Sequence, residues 1–185
     1  MIWLLACRAV HVVPYQTPVT VTGPRLEVEV PTGWSLEHNR RNPVNQHLSL
    51  AHDTHNSLIT VDLIREDRST TDLPLSMVAE GLALQDGRLF GIESLHTGTH
   101  RLEVAGREAW AVTTTQSHGP NEQLVSTVAL RAEKHMAVLS LRTSLEAPPV
   151  VVQGWGQVLQ SFRLPADPAP EPNLLDEGDR ELGPL

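Results

Sequence analysis

Imidazole titrates near neutral pH and is the commonest metal ligand among side chains, and this 185-residue chain carries nine histidines. Three fall close together, His47, His52 and His55, with Asp53 between the last two. An H-x4-H-x2-H spacing with a carboxylate beside it could hold zinc or copper if one loop gathered the rings. The same residues also read as a plain polar turn, His52-Asp53-Thr54-His55-Asn56, at the tip of a hairpin. His96 and His100 are four apart, but they lie on a loop entering a strand and share no helix face. His118 and His135 lie in or beside turns. A hydrolase needs a nucleophile, a base and an orienting group held together. Gly-x-Ser-x-Gly and His-Glu-x-x-His are absent from the chain. Gly154-Trp155-Gly156 sits inside a helical stretch with no third glycine, so it is not a nucleotide-binding loop. Glu27 and Glu29 alternate along a strand and read as solvated, and Thr113, Thr114 and Thr115 suit a strand. The single thiol, Cys7, excludes an internal disulfide and a cysteine-based zinc site. No catalytic residue, metal or cofactor is expected, and the chain reads as a non-enzyme.

The elements that would position these side chains follow from hydrophobic periodicity. Leu26, Val28 and Val30 alternate with Glu27 and Glu29, a half-buried strand that ends in a Pro31-Thr32-Gly33 turn. Trp34 and Leu36 continue on one face. Leu48 and Leu50 pair with Ile59, Val61 and Leu63 as an antiparallel hairpin. Leu75, Val78, Ala79 and Leu82 fall at helical spacing after Pro74, and Asp86-Gly87 beyond Gln85 should stop that helix. Strands are then expected over 99–104, 108–116, through Leu124, Val128 and Leu130, and through Ala137, Leu139 and Leu141. Short turns join them, which favours a meander. After Pro148-Pro149, Val151, Trp155, Val158, Leu159 and Phe162 form one apolar helical stripe, with Gly154 and Gly156 weakening it by about 1 kcal/mol each. Trp34 and Trp110 are expected in the core.

Charge separates the tails from the domain. Lys and Arg number 14 against 22 Asp and Glu, a net −8 that excludes ordinary electrostatic binding of nucleic acid. Residues 24–165 hold 12 basic and 16 acidic side chains, a balance of −4. Residues 166–185 hold one basic and six acidic, a balance of −5, together with Pro168, Pro170, Pro172 and Pro184. Proline and like charge oppose packing, so 166–185 is expected to be a disordered acidic tail, either for docking or simply for solvation. No apolar run approaches the ~18 residues of a membrane span.

Leu4-Leu5-Ala6-Cys7 resembles the lipobox of bacterial lipoproteins, in which a small residue precedes a cysteine that is lipidated. Residues 1–7 then read as the end of a truncated signal, although six residues before Cys7 are too few for a basic start and a full apolar core. Residues 8–24, broken by Pro14, Pro18 and Pro24, read as a linker. The other reading is an unprocessed apolar N-terminus, with an edge strand through Val10, Val12 and Val13, on a cytoplasmic protein.

Pro31-Thr32-Gly33-Trp34, Val104-Ala105-Gly106-Arg107-Glu108-Ala109 and Val158-Leu159-Gln160-Ser161-Phe162 lie in an order of strands, helix, strand meander and final helix. Together they resemble the PsbP-like superfamily over about 25–164. That superfamily includes the photosystem subunit PsbP, the Ran-binding Mog proteins, DcrB-type lipoproteins and adaptor chaperones of type VI secretion. The resemblance implies an α+β domain over 25–165, an antiparallel sheet flanked by helices, and a non-enzymatic role toward a protein partner. With a real lipobox it implies a cell-envelope lipoprotein anchored through Cys7. Without one it implies a soluble cytoplasmic adaptor chaperone for secretion effectors.

Overall fold

The computed structural model describes residues 19–22, 26–41, 45–65, 72–90, 92–118, 121–132 and 135–164. In chain order the elements are strands β1 (Val19–Thr22), β2 (Glu27–Val30), β3 (Trp34–Arg41), β4 (Gln46–His52) and β5 (Leu58–Arg65). Helix α1 (Leu75–Phe90) follows, then β6 (Glu93–Val104), β7 (Arg107–His118), β8 (Asn121–Ala132), β9 (His135–Ser144) and helix α2 (Pro149–Ser161). Seven strands form one antiparallel sheet in the order β3-β4-β5-β9-β8-β7-β6, and β1 pairs with β2 apart from it. Each half is a meander, and β5 and β9 join the halves antiparallel. This is the α+β arrangement of an antiparallel sheet flanked by helices.

One face of the sheet is closed by β2 and α2. Leu48, Leu50, Ile59, Val61, Leu130 and Leu139 project into a core with Leu26 and Val28 of β2 and Val151, Trp155, Val158 and Phe162. The last helix therefore buries the stripe that its periodicity predicts, with Leu159 packed at the margin. Glu27 and Arg163 exchange two backbone hydrogen bonds of 2.9 Å, which ties the end of α2 to β2. Ser161 Oγ accepts the Glu29 amide at 3.1 Å and adds to that tie. Gly154 is not a defect in α2. A Cβ there would stand 2.4 Å from Trp34 Nε1, so the close approach of helix and indole requires glycine.

Helix α1 packs on the opposite face, over β6, β7 and β8. Ala79 and Ala83 meet Val112 and Ala129, and Val78 meets Met136 and Val138.

Three local expectations are corrected. Val19–Thr22, inside the stretch read as a linker, is a strand in register with Glu27–Val30. Helix α1 runs through Asp86-Gly87 to Phe90. A glycine weakens a helix by only about 1 kcal/mol unless it turns left-handed, and Gln116 Nε2 donates to the Ala83 carbonyl at 3.3 Å and holds this half of α1 to β7. Strand β6 starts at Glu93, so His96 and His100 are strand residues. A bulge between His96 and Gly98 inserts one extra residue and breaks the period of two, which hides the first half of the strand from a periodicity reading.

Candidate functional site

The hairpin tip between β4 and β5 brings together part of the histidine group. The Pro31–Trp34 turn, closed by the Trp34 amide donating to the Pro31 carbonyl at 3.1 Å, places Gly33 at φ 81°. The Gly33 carbonyl then accepts the Asp53 amide at 2.9 Å, so the two loops are joined. His52 Nδ1 accepts the amides of Thr54 at 3.2 Å and His55 at 3.3 Å. A neutral ring that accepts at Nδ1 carries its proton on Nε2. That Nε2 is buried and finds no hydrogen-bond partner among the described residues. The ring stands edge-on to Trp34 at 5.1 Å and lies 4.7 Å from the His55 ring. Burial first, and His55 second, hold the His52 pKa below its ordinary 6.5, with Asp53 pulling the other way.

His47 does not join them. Its ring meets Asp62 Oδ1 at 2.6 Å, five residues back along β4 from His52. An odd separation in a strand puts two side chains on opposite faces: His52 shares its face with Leu48 and Leu50, and His47 faces the α1 side. The candidate set His47, His52, His55 and Asp53 is therefore not a ligand sphere. Among the described residues no three His, Cys, Asp or Glu side chains converge on a metal position. His96 instead bonds Thr99 Oγ1 at 2.7 Å, and that hydroxyl donates to Glu80 Oε1 at 3.2 Å, a part-buried link between β6 and α1. Trp34 is buried as expected, whereas Trp110 is only half-buried. Cys7 and the stretches 1–18 and 165–185 lie outside the described residues.

The most suggestive surface is the part of the α1 face that α1 does not reach. Two rows of paired residues cross the whole sheet here. One runs Arg40, His47, Asp62, Val138, Ala129, Trp110, Arg101. Its neighbour runs His38, Ser49, Thr60, Ser140, Thr127, Val112, Thr99. Val138, Ala129 and Val112 are under the helix. The β3, β4 and β5 ends of both rows are polar, and no described helix packs on them. His38 and Arg40 are exposed, His47, Thr60 and Asp62 are half-buried, and Ser49 between them is buried, its Oγ without a hydrogen-bond partner among the described residues. A shallow groove of about 430 Å³ opens at the lower edge, lined by Arg40, Asn45, Gln46, His47 and Asp62 among others. Such a surface offers hydrogen bonds of both kinds and charges of both signs, spread over flat, rigid strands. That suits contact with another protein better than it suits enclosure of a small molecule. Sequence periodicity predicts the polar side chains of β4 and β5, but the limit of α1 depends on where that helix docks.

No family model matches the chain, and no curated protein matches it. Solved structures do. The solution structure of cyanobacterial PsbP (CyanoP) from Synechocystis sp. PCC 6803 is similar over 87% of this chain and 98% of its own, with a TM-score of 0.61 and 13% identity. This chain has the PsbP/Mog1-like fold. A mutant of the protein Mog1 is similar over 80% of this chain and 96% of its own, with a TM-score of 0.57 and 12% identity. LpqN, involved in cell envelope biogenesis of Mycobacterium tuberculosis, is similar over 80% and 89%, with a TM-score of 0.52 and 14% identity. At such identities the likeness is one of fold. Among the described residues no helix of the PsbP/Mog1-like domain is long and apolar enough to cross a membrane.

Proposed function

We propose that this protein is a non-catalytic cell-envelope lipoprotein, anchored through Cys7, whose PsbP/Mog1-like domain binds another protein. The observation that carries the binding role is the open polar quarter of the sheet around Arg40, His47, Thr60 and Asp62. Its polarity suits a folded, solvated partner rather than an apolar segment in need of shelter, so the envelope reading is preferred to the chaperone reading. Support for the address comes from Leu4-Leu5-Ala6-Cys7 and from the envelope role given for LpqN, which shares the fold. In this reading the domain spans 25–165, β1 adds to it from within the connecting stretch, and 8–18 is the tether. One acyl chain anchors only marginally, and the two-chain anchor of a lipoprotein cysteine holds stably. Mass spectrometry of the protein isolated from membranes of the producing cell tests the anchor. The expected N-terminal residue is a lipid-modified Cys7, and a native protein that retains Ile2–Ala6 and an unmodified Cys7 would refute it.

A further inference from the structure

The corner between β9 and α2 holds apolar side chains out in solvent. Leu145, Val150 and Val152 are 43%, 41% and 53% exposed. Pro148 and Pro149 lie among them, and Glu146 is the one charged residue from 144 to 152. The corner is rigid. The Pro148 carbonyl accepts the Val151 amide at 2.9 Å and the Val152 amide at 3.2 Å, and the Val151 side chain is fully buried. Three apolar tips are thus held outward by the fold, and the two valines have little rotamer freedom to lose on contact. Apolar side chains grouped this closely mark a contact more than singly scattered ones do.

Strand register fixes the end of the molecule to which this corner belongs. β9 leads into it, and Arg142 of β9 pairs with Leu58, beside the His52–Ser57 tip. Trp34 pairs with His52, and the Asp53 amide meets the Gly33 carbonyl, so the Pro31–Trp34 turn is at this end too. Val30 leads into that turn and pairs with Val19. The chain therefore enters β1 at the corner's end of the sheet. Twelve residues lead from Cys7 to Val19, and a chain of that length spans at most about 40–43 Å. Strands β6, β7 and β8, of 12 residues each, are about 40 Å long. Leu73 and Met77 are exposed at the opposite end, beside Arg131. A bilayer holding Cys7 could meet that end only with the connecting chain drawn out almost to its limit, whereas it meets the corner's end with the chain slack. We propose that the Leu145–Val152 corner dips into the headgroup layer of the membrane that holds the Cys7 anchor, an inference that rests on the lipoprotein reading above. Asp53, Glu93, Glu122 and Glu146 are exposed at the same end, so apolar burial drives the contact and attraction to anionic headgroups does not. Tethering keeps the corner at the surface, so a weak contact suffices. The polar quarter of the sheet then faces sideways, toward a partner carried on the same membrane.

The test supplies the anchor chemically, so its outcome is separate from that of native lipidation. Cys7, the sole thiol of the full chain, is coupled to a maleimide-headgroup phospholipid in phosphatidylcholine vesicles. A photo-crosslinking residue is placed at Val152 or, as the control, at Met77, which is 57% exposed at the opposite end. Phospholipid adducts, read by mass spectrometry, are expected several-fold more often from position 152 than from position 77, at low and high salt alike. Leu145→Ser with Val150→Ser should bring position 152 down to the level of position 77 without lowering the denaturant midpoint. Equal lipid adducts from the two positions would overturn the proposal even where native Cys7 carries lipid. So would adducts from position 152 to a second copy of this chain in place of lipid, or a lipid yield that high salt abolishes.

Discussion

On the α2 side of the sheet, apolar side chains run unbroken from Leu48 and Leu50 through Ile59, Val61 and Leu139 to Leu130, and Val151, Val158 and Phe162 close over them. On the α1 side, the buried apolar side chains of Val112, Ala129, Met136 and Val138 lie under the helix. Further along the same rows come Thr60, Asp62, His47 and Arg40, outside the helix footprint. The difference separates two tasks. The closed side supplies the cohesion that holds seven strands together, which leaves the other side's uncovered part free to be polar. A surface not needed for the core is available for recognition, and its rigidity comes from the core behind it.

Mutations should divide along this line. The largest loss is expected from Phe162→Ala on the closed side, because a fully buried ring is removed from between α2 and the sheet. Such truncations cost about 3–5 kcal/mol, read as a lower denaturant midpoint at unchanged slope. Gly154→Ala should follow, at about 1–3 kcal/mol from overpacking, since its Cβ collides with Trp34 Nε1. Pairing it with Trp34→Phe should recover part of the loss, and strict additivity of the two changes would contradict the close approach.

The hairpin tip couples the closed side to pH. His52 has a folded-state pKa below 6.5, so it binds a proton more weakly folded than unfolded. Its contribution to stability is full above pH 6.5 and is lost as pH falls through the lowered folded value. Protonation at Nδ1 also evicts the amides of Thr54 and His55 from their acceptor. Denaturation midpoints measured between pH 7.5 and 5 should therefore fall for the natural chain. His52→Asn, which keeps an acceptor but does not titrate, should flatten that slope. A slope unchanged by the substitution would remove His52 from the account.

A smaller change of opposite sign is expected at the β6–β7 turn. Ala105 sits at φ 54°, in the left-handed region, followed by Gly106 at φ 71°. Asn-Gly is the favoured pair where both central residues have positive φ. Ala105→Asn should stabilise by about 0.5–1 kcal/mol, less whatever packing the methyl gives the core, and a lower thermal midpoint would count against the strain.

Much of this architecture can be read from the residues. Alternation in β2, β4, β5 and β9, the stripe of α2 and the tight turns at Pro31–Gly33 and Ala105–Gly106 each follow from local chemistry. What could not be read has identifiable causes. The bulge at His96–Gly98 resets the alternation of β6, and Gly87, of a residue type that commonly ends helices, lies inside α1. Gly154 is a weakness by helix propensity alone, and only the indole of Trp34, 120 residues earlier in the chain, makes it a requirement. The histidine group fails as a site for a reason present in the spacing itself, since His47 and His52 are an odd number of residues apart on one strand. The extent of the polar quarter of the sheet depends on where α1 docks, which is a tertiary fact with no local signature.

The central claim is that the uncovered polar quarter of the α1 face is the surface that meets a partner protein. The direct measurement is site-specific photo-crosslinking in the producing cell, with the crosslinking residue placed at Thr60 in the open quarter or at Val152 on the exposed side of α2. The account predicts a discrete protein adduct from position 60, absent from position 152 and lost when Arg40→Glu and His47→Glu are introduced together. No adduct from position 60, or the same adducts from both positions, would contradict it.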